Sequence, residues 1–347
     1  LCVLYGESSV PTLLLKKWQN LITPAFLLLL KERVFMRKRT YTIIGFLVSI
    51  IVVGTVVGLY LANNPVPSSS KLTVIATFYP LYDFAQNVGG DKVDVSILVP
   101  ETVDVHDFEP TPSSIAAVAS ANVLIYNGAG LEPWIQEIIS ASGNTNLITV
   151  DTSQDIQLLP VSPQFQSNGA TVDPHIWLDP ILAKEQVNNI LQGLIQADPA
   201  DSQYFTENAQ TYQNKLDDLN TQAINATRET ATRYFVTFHE SFSYFANRYN
   251  ITQIPIAGPF QEEPTPSDIQ NVINAINQYR LLYVGYESLE NPAISQSISS
   301  QTNATLIEMN PIEGLTAEQK AAGDNYITLM QQVINNIHLA LSSIGTS

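Results

Sequence analysis

Residues 201–232 read DSQYFTENAQTYQNKLDDLNTQAINATRETAT, without a proline or glycine. Their apolar positions fall at Phe205, Ala209, Tyr212, Leu216, Leu219, Ala223 and Ala226, alternately four and three residues apart. That spacing draws one stripe along an α-helix and leaves the rest of its surface polar. The stretch therefore predicts one helix of about 30 residues, ~45 Å long. A heptad stripe can also build a dimeric coiled coil. This one is short and weak at its C-terminal end, so a single strut packed along the body is expected.

On both sides of the strut the chain alternates strands with helices. Before it, strands are expected near 72–78, 93–99, 122–126 and 147–150, with helices at 79–88, 113–120, 133–140 and 181–197. After it, strands are expected near 234–238, 253–256, 281–286 and 305–309, with helices at 241–249, 267–278 and 292–302. Apolar residues from Tyr326 to Leu341 mark a closing helix. Such alternation indicates α/β architecture with largely parallel sheets. The expected fold is two strand/helix lobes, at 71–200 and 233–347, joined by one long rigid helix at 201–232.

The N-terminal part differs. Residues 1–62 hold seven Lys/Arg against two acids, whereas the remainder holds nine against thirty. The first methionine is Met36, followed by Arg37-Lys38-Arg39, and residues 1–35 read as an over-extended or non-native segment. Ile43 to Ala62 is uncharged and apolar. At ~1.5 Å per residue it is long enough for a transmembrane helix, and the basic cluster before it predicts a cytoplasmic N-terminus. It is longer than a signal-peptide core and ends in a poor cleavage site, so an uncleaved single-pass anchor is expected. Residues 63–70, NNPVPSSS, read as a tether holding an extracytoplasmic body. The net charge of −16 argues against a nucleic-acid partner. Cys2 is the only cysteine. The body thus has no disulfide, thiolate metal site or cysteine nucleophile, and no lipid-modifiable cysteine follows the apolar segment.

Chemistry concentrates on histidines. Of four, His175 lies within Asp173-Pro-His-Ile-Trp-Leu-Asp-Pro180, between two Asp-Pro pairs that favour extended or turn geometry. His106 follows the second strand and precedes Thr111-Pro112, a helix N-cap with proline at the first helical position. His239 follows the strand at 234–238. Parallel sheets place ligands beyond the carboxyl ends of their strands. The three histidines are therefore expected to converge on one metal ion. Three imidazoles plus an oxygen suit tetrahedral zinc, whereas carboxylate-rich sites lean towards manganese. His338, on the closing helix, reads as a surface residue.

From Lys71 onward the chain resembles the metal-binding receptors of ABC importers, the zinc/manganese group that includes adhesin-like bacterial lipoproteins. The resemblance rests on Ala76-Thr-Phe-Tyr-Pro80, His106-Asp-Phe-Glu-Pro-Thr-Pro112, Asp173–Pro180, Val236-Thr-Phe-His-Glu-Ser-Phe-Ser-Tyr-Phe-Ala246 and Gly323-Asp-Asn-Tyr326, in that order. It implies two α/β lobes joined by a long helix, and ligands at His106, His175 and His239. It also implies histidine at the third position in zinc-type members and glutamate in many manganese-type members. Two departures stand out. The Asp-Pro that often supplies the fourth ligand reads Asn310-Pro311 here. The region 158–171, matching the His-rich loop of zinc-type members, contains no histidine.

Glu287, at the end of a second-lobe strand, is the expected substitute for the missing carboxylate. Asn310, Glu308, Glu313 and water are the alternatives. The expected function is a monomeric, membrane-tethered receptor that captures Zn2+, with Mn2+ as the alternative, and hands it to an ABC permease. It is not expected to be an enzyme. The competing readings are a three-His zinc hydrolase using Glu240 as base and a metal-dependent adhesion protein.

Overall fold

Strand β1 (Leu72–Ala76) occupies the inside of a four-stranded parallel sheet of order β2-β1-β3-β4. The other members are β2 (Val93–Ile97) and β4 (Ile148–Asp151) at the edges and β3 (Val123–Tyr126) inside. The computed structural model describes residues 29, 31–33, 36, 46–55, 71–101, 103, 105–106, 108–166, 171–261 and 263–345. Residues 1–69 and 70–347 form separate compact units.

In the larger unit, helices α1 (Tyr79–Gly89), α2 (Pro112–Ser120) and α3 (Ile135–Ser142) alternate with the strands. Val74, Ile75 and Ala76 are buried, as are Val123, Leu124 and Ile125. Such continuous apolar runs are typical of parallel strands covered on both faces. Strand order reverses between β1 and β3. That reversal is the switch point beyond whose strand ends α/β sheets bind ligands.

Helix α4 (Pro180–Ala197) leads into the strut, α5 (Ser202–Arg228). The strut has 27 residues, ~40 Å, slightly shorter than expected because the helix ends before Glu229. Phe205, Ala209, Tyr212, Leu216, Leu219 and Ala223 are buried along it, the stripe anticipated from spacing. Burying a phenylalanine or leucine stabilises by about 1.5–3 kcal/mol over leaving it in water. Polar ties add position. Tyr212 donates to Asp83 on α1 at 2.8 Å, and Tyr249 donates to Asn220 on the strut at 2.9 Å.

The second half contains two parallel pairs, β5–β6 and β7–β8. They are β5 (Tyr234–His239), β6 (Thr252–Ala257), β7 (Tyr283–Tyr286) and β8 (Thr305–Glu308). At Gly285, β7 lies against β5 so closely that a Cβ would sit 2.5 Å from the Val236 carbonyl oxygen. Helices α6 (Ser243–Arg248), α7 (Pro266–Tyr279) and α8 (Ala293–Thr302) lie between these strands in sequence. Two helices follow, α9 (Ala317–Ala322) and α10 (Tyr326–Ser342). The apolar face of α10 joins the core that also holds the first sheet and the strut.

Helix α9 was not anticipated, although Thr316 and Gln319 form a capping box at its start. The transmembrane helix expected over 43–62 is not supported. Residues 46–55 are helical with exposed apolar side chains, and among the described residues no helix is long and apolar enough to cross a membrane. Residues 43–45 and 56–62 lie outside the described residues, as do the tether at 63–70 and most of 1–35.

Candidate metal centre

His175 is carried by a short 3-10 turn, Ile176–Leu178, wedged between the two Asp-Pro pairs. Asp179 caps α4 by accepting from the backbone N–H groups of Ile181 and Leu182, with Pro180 at the first helical position. At the other end, Asn127, just past β3, donates from its amide to the Pro174 carbonyl at 2.9 Å. Both flanks are therefore pinned, and the His175 side chain is fully buried. Asp173 and Asp179 lie on either side of the histidine and outside the group it forms with His106, His239 and Glu313.

His239 is the last residue of β5, and His106 lies in the loop after β2. Glu313 lies in the turn between β8 and α9. One potential ligand atom from each of His106, His175, His239 and Glu313 lies within 4.8 Å of all the others. Glu313 Oε1 sits 3.5 Å from His106 Nε2, 3.4 Å from His175 Nε2 and 3.5 Å from His239 Nε2. These contacts are longer than an ordinary N–H···O bond. The Nε2 atoms of His175 and His239 are 3.1 Å apart. Ligands ~2.0–2.1 Å from a tetrahedral ion would lie ~3.3 Å from one another. The three edges from Glu313 and the His175–His239 edge, 3.1–3.5 Å, lie near that length.

The far nitrogens of two rings are engaged by carboxylates. His175 Nδ1 lies 2.8 Å from Asp173 Oδ1, which also accepts the His175 backbone N–H. His239 Nδ1 lies 2.7 Å from Glu287 Oε1, which likewise accepts the His239 backbone N–H, at 3.2 Å. A carboxylate on Nδ1 favours the tautomer that keeps the proton there and leaves a lone pair on Nε2. Burial disfavours the charged form of both rings. Asp173 nevertheless raises His175 above the usual imidazole range, and Glu287 raises His239 well above it, with Glu313 adding to both. Burial likewise works against the Glu313 anion, but contact with three imidazoles holds its carboxyl well below the usual carboxylate range.

The structure brings the three expected histidines together but places the fourth group elsewhere than expected. Glu287 stands behind His239, on its Nδ1 side, rather than facing the shared Nε2 atoms. Asn310 turns its Oδ1 to the Ile312 N–H at 2.7 Å. Glu308 ends β8 and does not belong to the cluster. Glu313 faces the imidazoles because its turn rests on the backbone of the His106 loop. Leu315 N–H donates to the Glu101 carbonyl at 3.1 Å. A Cβ on Gly314 would lie 2.0 Å from that oxygen, so only glycine permits the approach.

Residues 74–340 match the family described as zinc-uptake complex component A, periplasmic (ZnuA). The chain belongs to the ZnuA family. It is 30% identical over 271 residues to the high-affinity zinc uptake system protein ZnuA of Bacillus subtilis, covering 76% of this chain and 85% of that relative. It is 26% identical over 279 residues to the zinc-binding lipoprotein AdcA of Streptococcus pneumoniae, covering 78% of this chain but 56% of that longer protein. The Zn(II)-bound ZnuA-like domain of S. pneumoniae AdcA superimposes with a TM-score of 0.69 at 26% identity, covering 79% of this chain and all of that domain. The α/β fold with parallel sheets and a long helix is thus shared with ZnuA-type proteins.

Proposed function

We propose that this protein is an extracytoplasmic receptor that captures Zn2+ between its two α/β halves and delivers it to an ABC permease. His106, His175, His239 and Glu313 would hold the ion. The observation that carries the reading is the 3.1 Å contact between two Nε2 atoms whose rings are each braced at Nδ1 by a carboxylate. Two lone pairs that close repel each other unless a cation or proton lies between them. The donor set, three imidazoles and one carboxylate, suits zinc better than manganese. Four protein ligands complete a tetrahedron and leave no open position for a reacting water, which favours transport over hydrolysis.

Segments 71–200, 201–232 and 233–347 serve as lobe, strut and lobe in this reading. The apolar residues 43–62 would tether the body to a membrane, with 63–70 as spacer. Metal analysis of protein purified without added metal, followed by competitive titration with zinc and manganese, tests the reading. One zinc per chain is expected. A preference for manganese of more than about tenfold, ~1.4 kcal/mol, would overturn the assignment.

A further inference from the structure

Ile312, next to Glu313, has φ +61°. A β-branched residue pays a steric cost in that region and stays there only when its surroundings hold it. Two side chains hold it here. Asn310 Oδ1 accepts the Ile312 N–H at 2.7 Å, closing a turn of the Asx type. Trp177 donates its indole N–H to the Pro311 carbonyl at 2.7 Å. Asn310 is 6% exposed, while Trp177 and Ile312 are fully buried. Asn310 Oδ1 is thus engaged by a backbone N–H, and the Trp177 indole nitrogen is a donor without a lone pair for a metal.

We infer that Asn310 and Trp177 are positioning residues for the carboxylate at 313. Asn310 fixes the turn from within, three residues before Glu313. Trp177 fixes it from the His175 segment, so that one element carries a histidine and also aims the carboxylate. Without these bonds the turn relaxes towards negative φ at Ile312 and swings Glu313 away from the imidazoles. The inference rests on the proposed zinc site and assigns the neutral amide at 310 a task other than ligation.

Zinc affinity by chelator competition, together with the visible absorption of the Co2+-loaded protein, tests it. Asn310→Ala should weaken zinc binding about 10–100-fold, as loss of an outer partner of a ligand does. Its Co2+ spectrum should shift towards that of Glu313→Ala. In a Glu313→Ala background the same substitution should cause no further loss. Asn310→Asp, whose carboxylate can accept the same N–H, should restore most of the affinity. Trp177→Phe, which keeps an aromatic ring and removes the donor, provides a second route. Its affinity loss should also vanish once Glu313 is absent. An unchanged affinity in Asn310→Ala, or an equal loss with and without Glu313, would overturn the positioning role while leaving zinc capture standing. Failure of the wild-type chain to bind zinc would overturn both.

Discussion

His175 and His239 carry the same chemistry on different scaffolds. The carboxylate behind His175 lies two residues upstream, inside the same Asp-Pro-His turn. The one behind His239 lies 48 residues downstream, at the end of β7. A local brace forms whenever its turn forms. A distant brace forms only when β5 and β7 are docked, and Gly285 makes that docking close. The first half of the site is therefore a property of a loop, and the second half a property of assembled strands.

The largest expected effect removes this contrast. His175→Ala and His239→Ala should each weaken zinc binding by more than the ~100-fold upper range for outer partners, since each would delete a proposed ligand outright. Competition with a chromogenic chelator measures this, and a loss of less than tenfold in either variant would contradict the proposed site. Next come the braces. Asp173→Asn and Glu287→Gln should each lose about 10–100-fold in affinity. Only Glu287→Gln is expected to loosen the contact between β5 and β7, read as faster amide exchange along residues 234–239. Equal exchange in both variants would erase the distinction between local and distant braces.

A third test uses pH. The folded-state values of His175 and His239 lie above the ordinary imidazole value. In metal-free protein, protonation of these rings stabilises the fold fully below ~6.5, and that contribution is lost as pH rises through the raised values. Zinc held as proposed requires both rings neutral at Nε2. The increase in melting temperature on adding zinc should therefore be greatest above neutrality and shrink as pH falls towards about 5. A zinc-induced shift of constant size between about pH 5 and pH 8 would show that these imidazoles do not gate binding.

The smallest effect is expected at His338. It is exposed on α10 and bonds the Ala226 carbonyl at 2.7 Å. His338→Ala should leave zinc affinity unchanged and alter stability by about 1 kcal/mol or less.

These scaffolds also explain what could be read from the sequence. The strut was legible because apolar spacing reports a helical face directly. The three histidines were legible because two follow strands and one sits in a proline-fixed turn, all local features. The choice of Glu287 over Glu313 followed the same logic, favouring a carboxylate at a strand end. That logic located a residue of the cluster's surroundings but assigned it to the ligand side of His239. Glu313 was obscured because its direction depends on a left-handed Ile312, a conformation its side chain disfavours. It also depends on bonds from Asn310 and Trp177, the latter 134 residues away from the carbonyl it meets. Helix α9, by contrast, is marked by its Thr316/Gln319 box and buries no side-chain stripe of its own.

The indole of Trp177 lies with its ring centroid 5.1 Å from that of His175, while its N–H reaches the Pro311 carbonyl. It thus touches the cargo's surroundings from one side and the Glu313 turn from the other. The protein thus contains an intrinsic optical gauge beside the proposed zinc site. With Trp18 and Trp134, the latter packed against Phe108, both replaced by phenylalanine, Trp177 would be the one tryptophan left to emit. Each departure of the ion could then be timed without attaching a label.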